Sequence, residues 1–199
     1  MATKYAQVPT SALSSLQINA GILASDFTPS TGTVSSSDIL GATSGGLSFS
    51  DVPDFVDFAE DIDNAPKNTK EFKRINGRTV TLSATFISIN TTLAKSLMAA
   101  ADIGSVDTTK ITPRDELVAA DFDDLWLICD YSDKNGPTNG GFVAIHLMNA
   151  LSTGGFQLQT ADKGKGRFQA TFTAHYSGSA LSTVPYEVYI KAGSAEPTT

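Results

Sequence analysis

Cysteine occurs once in this chain, at Cys129, so no disulfide can close within it. The residue sits in the run Leu125-Trp126-Leu127-Ile128-Cys129, where a thiol serves as a small buried hydrophobe. Histidine occurs twice, at His146 and His175. Two separated histidines and one cysteine do not supply the ligand spacing of a metal site, and neither histidine accompanies the glycine-flanked serine of a nucleophile elbow. Trp126 is the single tryptophan, and it lies in a buried-looking run, so a carbohydrate-binding β-sandwich would lack exposed rings for sugar stacking. Charge is scarce as well. Charged residues are 18% of the chain, and 14 Lys and Arg stand against 21 Asp and Glu, for a net charge of −7. Such a balance excludes a strong grip on nucleic acid, which needs a basic face to neutralise phosphates, and suits a surface that nucleic acid slides past. No stretch approaches a membrane span, the opening Met1-Ala2-Thr3-Lys4-Tyr5-Ala6 carries no apolar leader, and no internal repeat of fixed period is visible.

What the sequence does have is alternation. Leu16, Ile18, Ala20 and Ile22 alternate with polar or small residues, which predicts a strand with one buried face. Val80, Leu82, Ala84 and Phe86 alternate with Thr79, Thr81, Ser83 and Thr85. Phe168, Ala170, Phe172, Ala174 and Tyr176 alternate in the same way with Arg167, Gln169, Thr171, Thr173 and His175. Residues 47–60 read as β structure interrupted by Pro53, hence an edge strand, a bent strand or a hairpin. The continuous apolar runs 125–129 and 142–148 flank turn-rich residues 133–140 and predict a hairpin covered on both faces. Phe156 and Leu158 suggest a short strand, and Tyr186, Val188 and Ile190 close the chain with another. One helix is expected, with Leu93, Leu97, Ala100 and Ala101 on one face, Thr91 or Thr92 as its cap and Gly104 as its stop. Asn90-Thr91-Thr92 also fits a glycosylation triplet, which carries no weight without a secretion signal. About eight short strands without βαβ rhythm predict a single mainly β domain, an antiparallel β-sandwich or barrel with one flanking α-helix.

Two long segments remain. Of the 22 residues in 25–46, 14 are Ser, Thr or Gly. The segment is expected to build no core, to be mobile in the free subunit and to order on assembly. Residues 61–77 form the second expected loop. Around it charge is segregated. Asp51, Asp54, Asp57, Glu60, Asp61 and Asp63 precede Lys67, Lys70, Lys73, Arg74 and Arg78, with Glu71 the one acid among the latter. A further acidic block contains Asp115, Glu116, Asp121, Asp123, Asp124, Asp130 and Asp133. Asp61-Ile62-Asp63 begins like a calcium loop, but Ala65 and Pro66 occupy positions that need a ligand and a glycine. Gly164-Lys165-Gly166-Arg167 is too short for a phosphate loop and leads into a strand, which makes it a tight turn. No catalytic, metal or cofactor site is expected. Solvated loops account for the charge blocks; so does a head-to-tail contact between two different patches of one subunit, which propagates into a filament when it does not close.

Taken in order, several segments resemble the major tail tube proteins of long-tailed bacteriophages with non-contractile tails. They are Leu16-Gln17-Ile18-Asn19-Ala20-Gly21-Ile22-Leu23, residues 38–46, 60–70, 111–114 and 130–135, the long run 141–156, Asp162-Lys163-Gly164-Lys165-Gly166-Arg167-Phe168, and residues 184–193. The likeness spans nearly the whole chain, and its specificity lies in the number and order of the pieces. It implies a single tail-tube domain over 1–199, a β-sandwich with a flanking helix and long assembly loops at 25–46 and 61–77. It implies homo-hexameric rings that stack into a tube in the virion tail, assembled in the host cytoplasm. The implied partners are further copies of the chain, a tape-measure protein, tail terminator and distal tail proteins, and double-stranded DNA that passes without specific binding. No membrane binding is implied. Inner-tube proteins of contractile tails and secretion-like injection systems look similar. Within that frame the stacking candidates are Asp54, Asp57, Glu60, Asp61, Lys70, Lys73 and Arg74, with Asp57 and Glu60 expected to meet Lys73 and Arg74 across a subunit boundary. The bore-facing candidates are Thr79, Thr81, Ser83 and Thr85.

Overall fold

The computed structural model describes residues 16–131 and 140–193, together with Pro9 and Ala12. The expected turn at 133–140 falls outside the described residues as far as 139, and so does Asp133. The chain is mainly β and antiparallel, with one α-helix among the described residues. The strands are β1 (Gln17–Ala24), β2 (Thr43–Asp57), β3 (Lys73–Phe86), β4 (Ala101–Ile103), β5 (Ile111–Pro113), β6 (Asp123–Tyr131), β7 (Gly141–Ser152), β8 (Gln157–Gln159), β9 (Arg167–Ala174) and β10 (Tyr186–Lys191). Helix α1 (Thr91–Leu97) follows β3.

Eight strands form one sheet in the order β1-β6-β7-β9-β3-β2, with β10 also on β7 and β8 on β9. Alternation places Val80, Leu82, Ala84 and Phe86 of β3 and Ala170, Phe172 and Ala174 of β9 in one core with Leu125 and Leu127 of β6. Two strands separate β6 from β3 in the sheet, so the sheet must curl over to bring these side chains together. Its end strands β1 and β2 come into contact without pairing. Helix α1 plugs the core with Leu93 and Leu97, both essentially without solvent exposure. The expected strand at Pro53 is an edge: β2 pairs only with β3, and the proline lies opposite Arg78.

Strand β7 changes neighbours along its length. Leu147 faces Leu125 of β6 on one side and Tyr186 of β10 on the other, whereas Ala150, Leu151 and Ser152 pair with β9. The change of neighbour falls at Asn149, whose φ is 49°. Its N–H donates to the Asp124 carboxylate at 2.9 Å and its side-chain amide to the His175 carbonyl at 3.2 Å. Asparagine tolerates this left-handed backbone better than most residues, and a β-branched side chain does not. Asn149→Val should therefore destabilise the subunit by about 2 kcal/mol. Asn149→Gly should cost less, because it removes one hydrogen bond but no backbone freedom. Denaturant titration separates them; equal losses would place the cost in the side-chain bond and clear the backbone.

Several expectations need correction. The segment 25–46 does contribute core. Phe27 is buried and meets Trp126 and Phe142 edge-on at 5.5 and 5.1 Å. With Ala144, Val34, Ile128 and Tyr189 it forms a second apolar cluster on the outer face of β6 and β7. The ends of the segment are tied by bonds from Ser25 to Asp38 and from Leu40 to Leu23, and its last residues, from Thr43, already belong to β2. Helix α1 is capped by Asn90, whose side chain accepts from the Leu93 N–H at 2.7 Å, not by Thr91 or Thr92. It stops before Ala99, at φ 63°, so Ala100 and Ala101 lie beyond it and Ala101 opens β4. The stretch after Gly104 holds β5, which pairs with β4. The expected loop 61–77 shrinks at its C-terminal end, because β3 begins at Lys73.

Candidate functional site

The two polar strand faces of the sequence become one surface. Antiparallel register puts Thr81 beside Thr173, Ser83 beside Thr171 and Thr85 beside Gln169 across β3 and β9. On the other side of β3, Ser50 faces Thr81 and Ser48 faces Ser83. Beyond β9, Gln157 faces Gln169. Because the opposite faces of these strands point into the core, every one of these hydroxyls and amides points outward. The hydroxyls of Ser83 and Thr171 lie 3.4 Å apart, and those of Thr153 and Thr173 2.8 Å apart. A shallow hollow of about 560 Å³ opens among Ser48, Ser83, Thr85, Gln169 and Thr171, with Arg167 at its margin. The four expected bore-facing residues, Thr79, Thr81, Ser83 and Thr85, therefore lie on one outer face; Thr81, Ser83 and Thr85 sit among uncharged polar neighbours, and Thr79, the most exposed, lies at the margin where β9 has ended.

Beyond Val80 the partner strand β9 ends, and β2 and β3 continue alone as a two-stranded arm. Asn76 is an extra residue on β3, so Phe55 pairs with Ile75 where Asp54 pairs with Gly77; β2 itself runs unbroken, and alternation puts Phe55 and Ile75 on the opposite face from Val52 and Thr79. The side that faces the core in the body thus continues along the arm as exposed apolar surface at Phe55 and Ile75. Val52, Phe55, Phe58, Ile62 and Ile75 are each 45–58% exposed, a concentration of apolar surface that isolated exposed residues do not produce.

The tip is built on Asp57. Its carboxylate accepts from the Ala59 N–H at 3.0 Å and the Asn68 N–H at 2.8 Å. These two bonds, that from Asn68 first, hold its pKa below the ordinary carboxylate value. Asp57 lies opposite Lys73, and Val56 opposite Arg74. Lys73 donates to the Asn68 side chain at 2.8 Å and sits 5.6 Å from the centre of the Phe55 ring. Arg74 donates to the carbonyls of Glu71 and Lys73. Glu60 is 3.8 Å from Lys67, and Glu71 is 3.5 Å from Lys70. The acidic and basic stacking candidates are therefore neighbours within one hairpin. Asp54, Asp61 and Asp63 are the arm's acids with no cation partner among the described residues.

Where β2 leaves the body, Asp51 accepts from both Arg78 and the Tyr186 hydroxyl, the latter at 2.9 Å. Asp51 is on β2, Arg78 on β3 and Tyr186 on β10, so this cluster ties β10 to the β2–β3 hairpin at the base of the arm. The bond to Asp51, followed by burial, pushes the Tyr186 hydroxyl above its ordinary pKa.

Three acids of the second block are engaged locally. Asp121 pairs with Arg114 at 2.6 Å and accepts from the Val118 N–H, the bond that does most to lower its pKa. Asp124 meets His146 at 3.1 Å, and Asp130 bonds to Asn19. His146 stacks on Trp126 with ring centres 4.0 Å apart. His175 lies against the Asn149 carbonyl and the edge of Phe122. Trp126 is only 7% exposed beneath Phe27, so it presents no stacking face to a sugar. Among the described residues no three His, Cys, Asp or Glu side chains converge on a point that could hold a metal. No helix among them is long and apolar enough to cross a membrane.

Neither the merging of the two polar faces nor the arm was visible in the sequence. The first depends on β3 and β9 being neighbours, which no local pattern encodes. The second is hidden because two-residue steps back from Val80 reach Arg78 and Asn76, and the extra residue at Asn76 breaks the alternation before Ile75. A comparison with protein-family models and with curated proteins finds no match for this chain.

Proposed function

We propose that this chain is a structural protein that assembles with copies of itself into stacked hexameric rings, the tail tube of a long-tailed phage and the conduit for its double-stranded DNA. The observation that carries the reading is the outward carpet of Ser, Thr and Gln on β2, β3, β9 and β8. Each phosphate contact with a lysine or arginine adds affinity, and a conduit must not hold what passes through it. A broad sheet face whose central rows carry neither acid nor base, on a chain of net charge −7, meets that requirement. The unpaired edge of β2 and the apolar arm support the same reading, since each offers a contact that one copy leaves unmet. The tape-measure protein and the proteins that begin and end the tube are the further partners.

Sizing and electron microscopy across a wide concentration range should show rings or tubes. A map of the tube should place Thr81 and Ser83 on the lumen. Strictly monomeric protein at every concentration, tail initiation partners included, overturns the assembly. A bore lined chiefly by Lys and Arg, with the Thr and Ser face packed against a neighbour, overturns the lumen assignment.

A further inference from the structure

The arm and the β8–β9 hairpin lie at opposite ends of the molecule. Val80 of β3 pairs with Ala174 of β9, and Phe86 pairs with Phe168. The arm continues β3 past Val80, and the turn that joins β8 to β9 lies past Phe86. From Lys73 to Phe86 an extended strand spans about 43 Å at roughly 3.3 Å per residue. No chain can bring its own arm to its own turn, whereas a second copy displaced along the strand direction can.

The two ends are complementary. On the arm, Phe58 and Ile62 are exposed, and Asp61 and Asp63 have no cation partner among the described residues. At the other end, Phe156 and Leu158 are 40% and 52% exposed. Beside them Lys163, Lys165 and Arg167 are exposed, and none forms an ion pair among the described residues. A hollow of about 380 Å³ opens there among Ile87, Gln159, Ala161, Lys165 and Arg167. The arm's own cations are engaged within the arm, at Glu60, Glu71, Asn68 and two carbonyls, so its spare carboxylates need a basic surface elsewhere.

We propose that the 58–63 turn of one copy seats in this hollow of a second copy, with Phe58 and Ile62 against Ile87 and Ala161 and with Asp61 and Asp63 meeting Lys165 and Arg167. The occupant of the surface is thus another molecule of this chain. The contact joins unlike ends, so it repeats without closing and gives a filament a single polarity. It rests on the tube reading and names the surfaces that would join one ring to the next.

The test is a charge exchange. Lys165→Glu with Arg167→Glu, and separately Asp61→Lys with Asp63→Lys, should each raise the protein concentration needed for tube growth by about tenfold or more. Circular dichroism and sizing should show each variant folded and still able to form rings. Combining all four changes should bring growth back to within about threefold of the unmodified chain, the signature of direct partners. A disulfide formed between copies when Ile62→Cys is mixed with Ala161→Cys should mark the same contact. Parents that grow normally, or a combination no better than the worse parent, overturn the proposal while the tube reading stands. An unmodified chain that never assembles overturns both. Normal tube growth with lost retention of double-stranded DNA in the Lys165→Glu, Arg167→Glu variant overturns it in favour of a phosphodiester contact.

Discussion

Phe27→Ala should destabilise the free subunit by about 3–5 kcal/mol, the usual loss for truncating a buried aromatic. It should also release the segment between β1 and β2. The expected size follows from what the ring covers. Phe27 is the main apolar side chain that this Ser-, Thr- and Gly-rich stretch places against the outer face of β6 and β7. Without it, Trp126 and Phe142 lose their edge-on partner and face a cavity or water. The backbone ties from Ser25 to Asp38 and from Leu40 to Leu23 would then have to hold the segment alone, against the ordering entropy of more than a dozen residues. Hydrogen exchange of the monomer reads this directly. Protection of the Ser25 and Leu40 amides should be strong in the unmodified chain and largely lost in Phe27→Ala. Protection unchanged by the substitution would show that the ties, and not the aromatic cluster, hold the segment.

The second large effect is expected at the base of the arm. Asp51→Ala should cost about 3 kcal/mol, near the low end for breaking a buried ion pair, because the side chains of Asp51 and Arg78 retain 14% and 24% exposure. The loss comes from leaving the Arg78 guanidinium and the Tyr186 hydroxyl without their shared acceptor. Asp51→Leu combined with Arg78→Met should recover much of it, since neither charge is then stranded. The pH dependence has a definite sign. Tyr186 has a raised pKa in the folded state, so its contribution is fully present below the unfolded value of about 10. It is lost as pH rises through the folded value. Removing Asp51 should flatten that alkaline limb, and a limb unchanged in Asp51→Ala would detach Tyr186 from the cluster. Because β2, β3 and β10 meet here, loosening the cluster should also blur the direction in which the arm leaves the body. The proposed assembly through the arm should then suffer more than folding does.

Strict alternation carried the core. The inward faces of β3 and β9 could be named residue by residue, because a period of two leaves no other arrangement once one face must be dry. The double covering of Leu125 to Cys129 was legible for a related reason, but the identity of its cover was not. Phe27 is one aromatic in a polar stretch, and composition alone outvoted it. Helix α1 was found and overextended, since Ala100 and Ala101 continue the apolar spacing while the backbone reverses at Ala99 through a conformation no alanine pattern announces. The short pair β4 and β5 has too few residues to show a period. For the candidate surfaces, sequence supplied the parts. The hydroxyl rows, the charge blocks and the basic glycine-rich turn could each be named, but which of them are neighbours and which lie at opposite ends depends on sheet order.

That sheet order also decides how the molecule would bear a pull. The arm extends one end of β3, and the turn at Arg167 extends the opposite end of β9, so tension along a filament would enter through one strand and leave through its antiparallel neighbour. The seven registered pairs from Val80–Ala174 to Phe86–Phe168 lie across that line of force, with their hydrogen bonds perpendicular to it. They would be loaded in shear and would have to fail together, not peel one at a time. A subunit strung in this way yields little under traction, and its weakest links under load would be the junctions between copies.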